Sequence, residues 1–170
     1  MNTVEKSFKK IILLITIFLI SPSQASILDD LVSVFNDTKA PRCTSQYSYK
    51  CKQIWTNGDK YIGGWDGNTM TDKGLYIFKT GEKYDGNWRN GKRNGQGVNY
   101  YAHGDIARGE WKDDNLTGFG TYIWNDGRKG VGNWLNTNLH GFASLTYANG
   151  EQDIGEWKNG KKTGELHILI

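Results

Sequence analysis

YDGNWRNGKRNGQG, residues Tyr84–Gly97, sets one tryptophan among four glycines. Glycine this dense serves either a phosphate-cradling loop or a recurring structural unit, and the choice decides whether the chain is an enzyme or a surface. A phosphate loop occurs once, at a strand-to-helix junction, and a Walker-type motif ends in Lys followed by Ser or Thr. Here Gly91-Lys92 is followed by Arg93, and no helical pattern comes after it.

The rest of the chain repeats this stretch. Tryptophan stands at 65, 88, 111, 134 and 157, always 23 apart. Two residues before each is a glycine: Gly63, Gly86, Gly109, Gly132 and Gly155. Gly58, Gly81, Gly104, Gly127 and Gly150 keep the same period, as do the aromatics Trp55, Phe78, Tyr101, Trp124 and Tyr147. Several residue types held in one phase mark a repeat architecture, and the glycines of Tyr84–Gly97 are one copy of it.

Within a unit, side chains alternate between faces along each strand. Tyr84, Gly86 and Trp88 share one face, and Asp85 and Asn87 share the other. Gly97, Asn99 and Tyr101 share a face of a second strand, with RNGKRNGQ as the link between the two. Asn-Gly and Asp-Gly pairs such as Asn57-Gly58, Asn90-Gly91 and Asp126-Gly127 are tight-turn signals, because glycine takes positive φ without a Cβ clash. A glycine beside a large aromatic lets a ring or a neighbouring backbone approach closely. The pattern predicts an all-β, elongated solenoid of antiparallel hairpins, each packing on the next. Its core is a ladder of the five indoles stacked in register and spaced by the five glycines. A single hairpin is marginal in water, so stability must come from neighbours.

These residues resemble the MORN repeat (membrane occupation and recognition nexus), a unit of about 23 residues reading roughly Y-x-G-x-W-x-x-G-x-x-x-G-x-G. YDGNWRNGKRNGQG matches at every defined position. YIGGWDGNTMTDKG keeps Tyr61, Gly63, Trp65 and Gly74 but has Asp72 for a glycine. ARGEWKDDNLTGFG and GVGNWLNTNLHGFA replace the leading tyrosine with Ala107 and Gly130. IGEWKNGKKTGE matches but carries Asp153 where the pattern has tyrosine. The resemblance covers residues ~50–170. It implies a non-enzymatic interaction or dimerisation module, and for some members contact with phospholipid headgroups. Such arrays serve unrelated proteins, so the resemblance identifies a fold more sharply than a function.

The chain opens with a targeting pattern: Lys6, Lys9 and Lys10, the apolar run Ile11–Ile20, then Ser23 and Ala25 at small-residue positions. Residues 1–25 are therefore expected to be a secretory signal peptide, with an uncleaved anchor as the alternative. Removing them takes three lysines and Glu5, so 21 basic and 18 acidic residues become 18 and 17. A near-neutral chain offers no electrostatic footprint for nucleic acid. An exported, periplasmic or secreted chain with two cysteines favours a Cys43–Cys51 disulfide. Residues 26–49 are expected to be an N-terminal helix (Ile27, Leu28, Leu31, Val34, Phe35), linker and cap. Residues 50–170 then hold a half repeat and five units. The last stretch, ELHILI at 165–170, falls in a second-strand slot and could pair with a second copy.

No residues stand out for catalysis. His103, His140 and His167 share no repeat slot, and no serine lies in a nucleophile motif. No cofactor or metal is expected. On the outer face, Leu75, Ile77, Val98, Tyr100 and Ile123 form an apolar stripe over three neighbouring units, the candidate partner surface. The alternative is that the N-terminal helix or strand twist covers it. The leading expectation is a protein-binding or self-associating scaffold. A phospholipid-headgroup or glycan-binding module, using Lys92, Arg93, Lys161 and Lys162, is the second, and a small hydrolase the third.

Overall fold

The computed structural model describes residues 41–164. The expected signal segment, the N-terminal helix and the terminal strand 165–170 lie outside the described residues.

The described chain is all-β. Its strands are β1 (Ser48–Ile54), β2 (Lys60–Asp66), β3 (Thr69–Ile77), β4 (Lys83–Arg89), β5 (Lys92–Tyr100), β6 (Ile106–Lys112), β7 (Asn115–Ile123), β8 (Lys129–Leu135), β9 (Asn138–Thr146), β10 (Gln152–Lys158) and β11 (Lys161–Lys162). Separate hairpins stacking on one another were expected. The structure corrects this: the eleven strands form one antiparallel sheet, in chain order. Successive units join edge to edge through the main-chain ladder, which satisfies the backbone groups that a free hairpin would leave open.

The link RNGKRNGQ is also shorter than its composition suggests. Only Asn90 and Gly91 turn, both at positive φ, as a two-residue type I′ hairpin requires. Lys92 to Gln96 already belong to β5. Asp113-Asp114 and Asn136-Thr137 make the equivalent turns without glycine, again at positive φ. Each turn also reaches into the preceding unit. The N–H groups of Gly91, Asp114, Thr137 and Gly160 donate to the carbonyls of Met70, Arg93, Leu116 and Leu139, at 2.9 to 3.1 Å.

The core lies on one face. A row of small residues crosses the sheet in register: Cys51, Gly63, Gly74, Gly86, Gly97, Gly109, Gly120, Gly132, Ala143 and Gly155. Beside it stand the five tryptophans of the 23-residue period, all buried. Each of four indole N–H groups donates to a carbonyl in that row one unit earlier: Trp88 to Gly74, Trp111 to Gly97, Trp134 to Gly120 and Trp157 to Ala143, at 3.0 to 3.1 Å. A buried indole needs such an acceptor, so this bond fixes which carbonyl each ring must meet.

The indoles do not stack on one another as expected. Tyrosines stand between them: Tyr61 lies 6.0 Å from Trp65 and 5.9 Å from Trp88, and Tyr84 lies 5.0 Å from Trp88 and 5.5 Å from Trp111. The Tyr84 contacts and the Tyr61–Trp88 contact are edge-to-face, the arrangement the ring quadrupole favours. The glycine row makes room for these rings. A Cβ on Gly74 or Gly97 would run into the hydroxyl end of Tyr61 or Tyr84.

Residues 41–43 close the first edge of the sheet. Pro41 C=O accepts from Lys52 N–H at 2.8 Å, and Cys43 N–H donates to Lys52 C=O at 3.2 Å. The Cys43–Cys51 disulfide holds this short parallel bridge beside β1. Sequence phase puts Cys51 in the Gly74 slot, and the register agrees, since Cys51 pairs with Gly63 on the small-residue row.

Candidate functional site

Strand alternation fixes what the outer face presents. One cross-strand row there reads Ile62, Leu75, Asp85, Val98, Arg108, Thr121, Val131, Ser144 and Ile154. A second reads Lys60, Ile77, Lys83, Tyr100, Ile106, Ile123, Lys129, Thr146 and Gln152. The expected stripe therefore needs correction. Asp85 separates Leu75 from Val98, and Lys83 separates Ile77 from Tyr100. First-strand residues fall between the second strands, and in the early units they are charged. Continuity holds only over Tyr100, Ile106 and Ile123, because Ile106 pairs with both of the others. Of the five expected surface residues, Ile123 is exposed at 38%, and Leu75, Ile77, Val98 and Tyr100 are half-buried.

Outside β1, where Tyr49 and Ile54 are also exposed, the most exposed apolar side chains of the described strands lie elsewhere on this face. Phe119 is 69% exposed and Phe142 48%, with Leu135 at 42%. Phe119 shares a strand face with Ile123, pairs across to Asn133, and Phe142 sits in the same slot one unit on. A signal for them was present in the sequence. The slot holds Lys73 and Gln96 in the first two units, then Phe119 and Phe142. An aromatic that replaces a polar residue on a solvent face has no core role to explain it.

The inner face carries a second set of polar contacts, at a spacing no local motif reveals. Tyr76 donates to Asp59 at 2.8 Å, and Tyr122 to Asp105 at 2.7 Å, each across 17 residues. In the unit between, Asn99 donates to Glu82 at 2.9 Å. Asp59 and Asp105 also accept the main-chain N–H of Lys79 and Asn125. The Lys79 N–H and the Tyr76 hydroxyl hold the Asp59 carboxyl below its ordinary range. Burial works against ionisation of Asp105, but hydrogen bonds from Tyr122, Asn125 and His103 outweigh it and keep the pKa low. His103 Nε2 lies 3.0 Å from Asp105 Oδ2. Burial, followed by the carboxylate partner, drives the Tyr76 and Tyr122 hydroxyls well above their usual range, so they act as fixed donors.

Two of the four basic residues expected to meet headgroups are engaged internally. Arg93 stacks over Trp111 at 4.7 Å, bonds Asp114 Oδ1 at 3.2 Å and donates to Asn99 at 3.0 Å. Lys162 lies 2.8 Å from Asp153. Lys92 and Lys161 are exposed. Buried tyrosine hydroxyls likewise have main-chain acceptors, Tyr61 on Gly64 and Tyr84 on Asn87. Among the described residues no group of three or more His, Cys, Asp or Glu side chains has metal-holding geometry.

The family model of the MORN repeat matches four consecutive segments, residues 84–106, 108–127, 131–152 and 154–165. The unit over Tyr61–Phe78 precedes the matched segments yet pairs in the same register. No curated protein matches the chain.

Proposed function

This chain carries MORN repeats over residues 84–165, and from that premise we propose that it is a non-enzymatic scaffold that binds another protein through the outer face of its third and fourth units. The supporting observation is the pair Phe119 and Phe142, exposed in one repeat slot on either side of β8, with Phe119 on the same face of β7 as Ile123, which borders Ile106 and through it Tyr100. Aromatic anchors bordered by polar groups are the usual composition of a protein-binding patch, and Asn133, Lys129 and Glu156 supply that border. An exported location is part of the proposal. It rests on the Lys6–Ala25 pattern and on a disulfide that needs an oxidising compartment.

The test is the full chain with Phe119→Glu and Phe142→Glu together, used for quantitative crosslinking in its native surroundings and for sedimentation. Binding should be lost while the melting temperature is unchanged, since neither ring contributes to the buried cluster. Unaltered binding in the double variant, or no partner for the wild type, would overturn the proposal. Loss of a wild-type dimer would make the partner a second copy.

A further inference from the structure

The first half unit leaves a hole in the aromatic ladder, and the hole has the character of a ligand site. A recess of about 350 Å³ lies at the start of the inner face, floored by Trp55, Trp65, Met70 and the half-buried Cys43 of the disulfide. Its size falls in the lower range of small-ligand sites. Gln53 stands at its wall, and Gln53 is the residue that opens it. Counting back 23 from Tyr76 gives Gln53, and both residues pair with Tyr61, one from either side. In the next unit Tyr76 fills this slot with a ring, 4.4 Å from Phe78 and 5.8 Å from Trp88. Two units on, Tyr122 does the same, 4.7 Å from Trp124 and 5.9 Å from Trp134. Between them, Asn99 shares the slot with the Arg93 guanidinium. Among these four slots, only the one at Gln53 is filled neither by a ring nor by a guanidinium shared with its polar side chain, and the space left open lies over the Trp55 and Trp65 rings.

We propose that this vacancy binds a single neutral pyranose residue of a glycan. The floor is aromatic, with the Trp55 and Trp65 rings 6.5 Å apart, and would pack against the C–H face of a sugar ring. The walls are polar without formal charge: Gln53, Asn68 and Thr69, with the exposed Thr44 and Ser45 at the rim. Amide and hydroxyl groups both donate and accept, which suits sugar hydroxyls. An apolar side chain of a peptide would desolvate these groups and return no hydrogen bond. A phosphate or carboxylate would meet no cation in the lining, and an ammonium no anion.

The experiment uses the full chain with glucose, galactose and N-acetylglucosamine, read by saturation-transfer NMR and tryptophan fluorescence. N-acetyltyrosinamide and phosphatidylglycerol vesicles are run beside them. At least one neutral sugar should bind saturably. Gln53→Tyr supplies the ring that the array uses elsewhere, so it should abolish sugar binding and leave the melting temperature equal or higher. Should that variant fail to fold, Asn68→Ala on the exposed hairpin should weaken binding by about tenfold, the loss of one well-made hydrogen bond. Binding that survives Gln53→Tyr, or indifference to all three sugars, would overturn the proposal. So would a preference for N-acetyltyrosinamide or for the vesicles.

Discussion

The early and late units place the same backbone in the same register yet fill it differently. In the units of Trp65 and Trp88, a tyrosine (Tyr61, Tyr84) lies against paired glycines and touches the indoles on both sides. In the units of Trp111 and Trp134 that tyrosine is Ala107 and Gly130. In the Trp111 unit the space is taken from the opposite strand by the buried Leu116; in the Trp134 unit Leu139 is buried in the equivalent position, and the Trp124 and Trp134 rings close on Gly130. Leu116 reaches Gly109 and Gly120, the pair that a tyrosine would have covered. Where leucine fills the slot, the equivalent residue of the tyrosine-bearing units is Met70 or Arg93. Volume is conserved across the ladder by exchange between two strands, which explains how a repeat tolerates loss of a defining aromatic.

Trp111 stands where the two solutions meet, with Tyr84 on one side and the leucine-filled unit on the other. Trp111→Ala should have the largest effect, about 3–5 kcal/mol in urea unfolding, from cavity formation and a lost N–H bond to Gly97. A loss much below this would mean that the halves unfold independently.

Opening the first edge tests whether the tyrosine-filled half depends on its staple. Cys43→Ser with Cys51→Ser should cost about 2.5 kcal/mol for a separation of 8 residues. Hydrogen exchange should rise in β1 and β2 and stay unchanged in β8 and β9.

The exchange of volume can be tested directly. Ala107→Tyr should destabilise by about 1–3 kcal/mol, because Leu116 already occupies the ring's place. Leu116→Ala in the same chain should recover part of that loss, a favourable coupling read from a double-mutant cycle. Additive costs would show that the slots are independent.

An effect of similar size distinguishes the carboxylate-capped slots from Leu145, which occupies the Tyr122 slot and has no hydroxyl for a carboxylate. Asp105→Asn should cost about 1–3 kcal/mol at neutral pH, because one amide oxygen replaces two charged acceptors for Tyr122 and Asn125. The folded pKa values of Asp59, Asp105 and Asp153 lie below the ordinary carboxylate value near 3.9, so their contribution is present above it. It disappears as pH falls through the folded values. The wild type should therefore lose stability below about pH 4, and Asp105→Asn should lose less over the same window.

Much of the fold was legible because it rests on period. Alternation within YDGNW assigned Trp88 and Gly86 to one face, and the 23-residue phase carried that assignment to all five units. The indole ladder misled because phase says which slots are equivalent, not which slots touch. Each tyrosine between two rings comes from the strand of one tryptophan and lies two strands from the other. The outer stripe failed for a related reason: residues 23 apart lie on alternate strands, with a first strand between them. Phe119 and Phe142 were readable slot by slot, whereas the Gln53 vacancy needed coordinates.

The sequence by itself determined the unit, its turns and its two faces, because φ preference and side-chain alternation act over a few residues. The tertiary structure alone decided that units share one continuous sheet, which side chains fill each slot, and where the ladder is left open. These depend on register and packing between residues 14 to 23 apart, where the backbone ladder and the volume of the neighbouring unit choose among arrangements that local pattern allows equally.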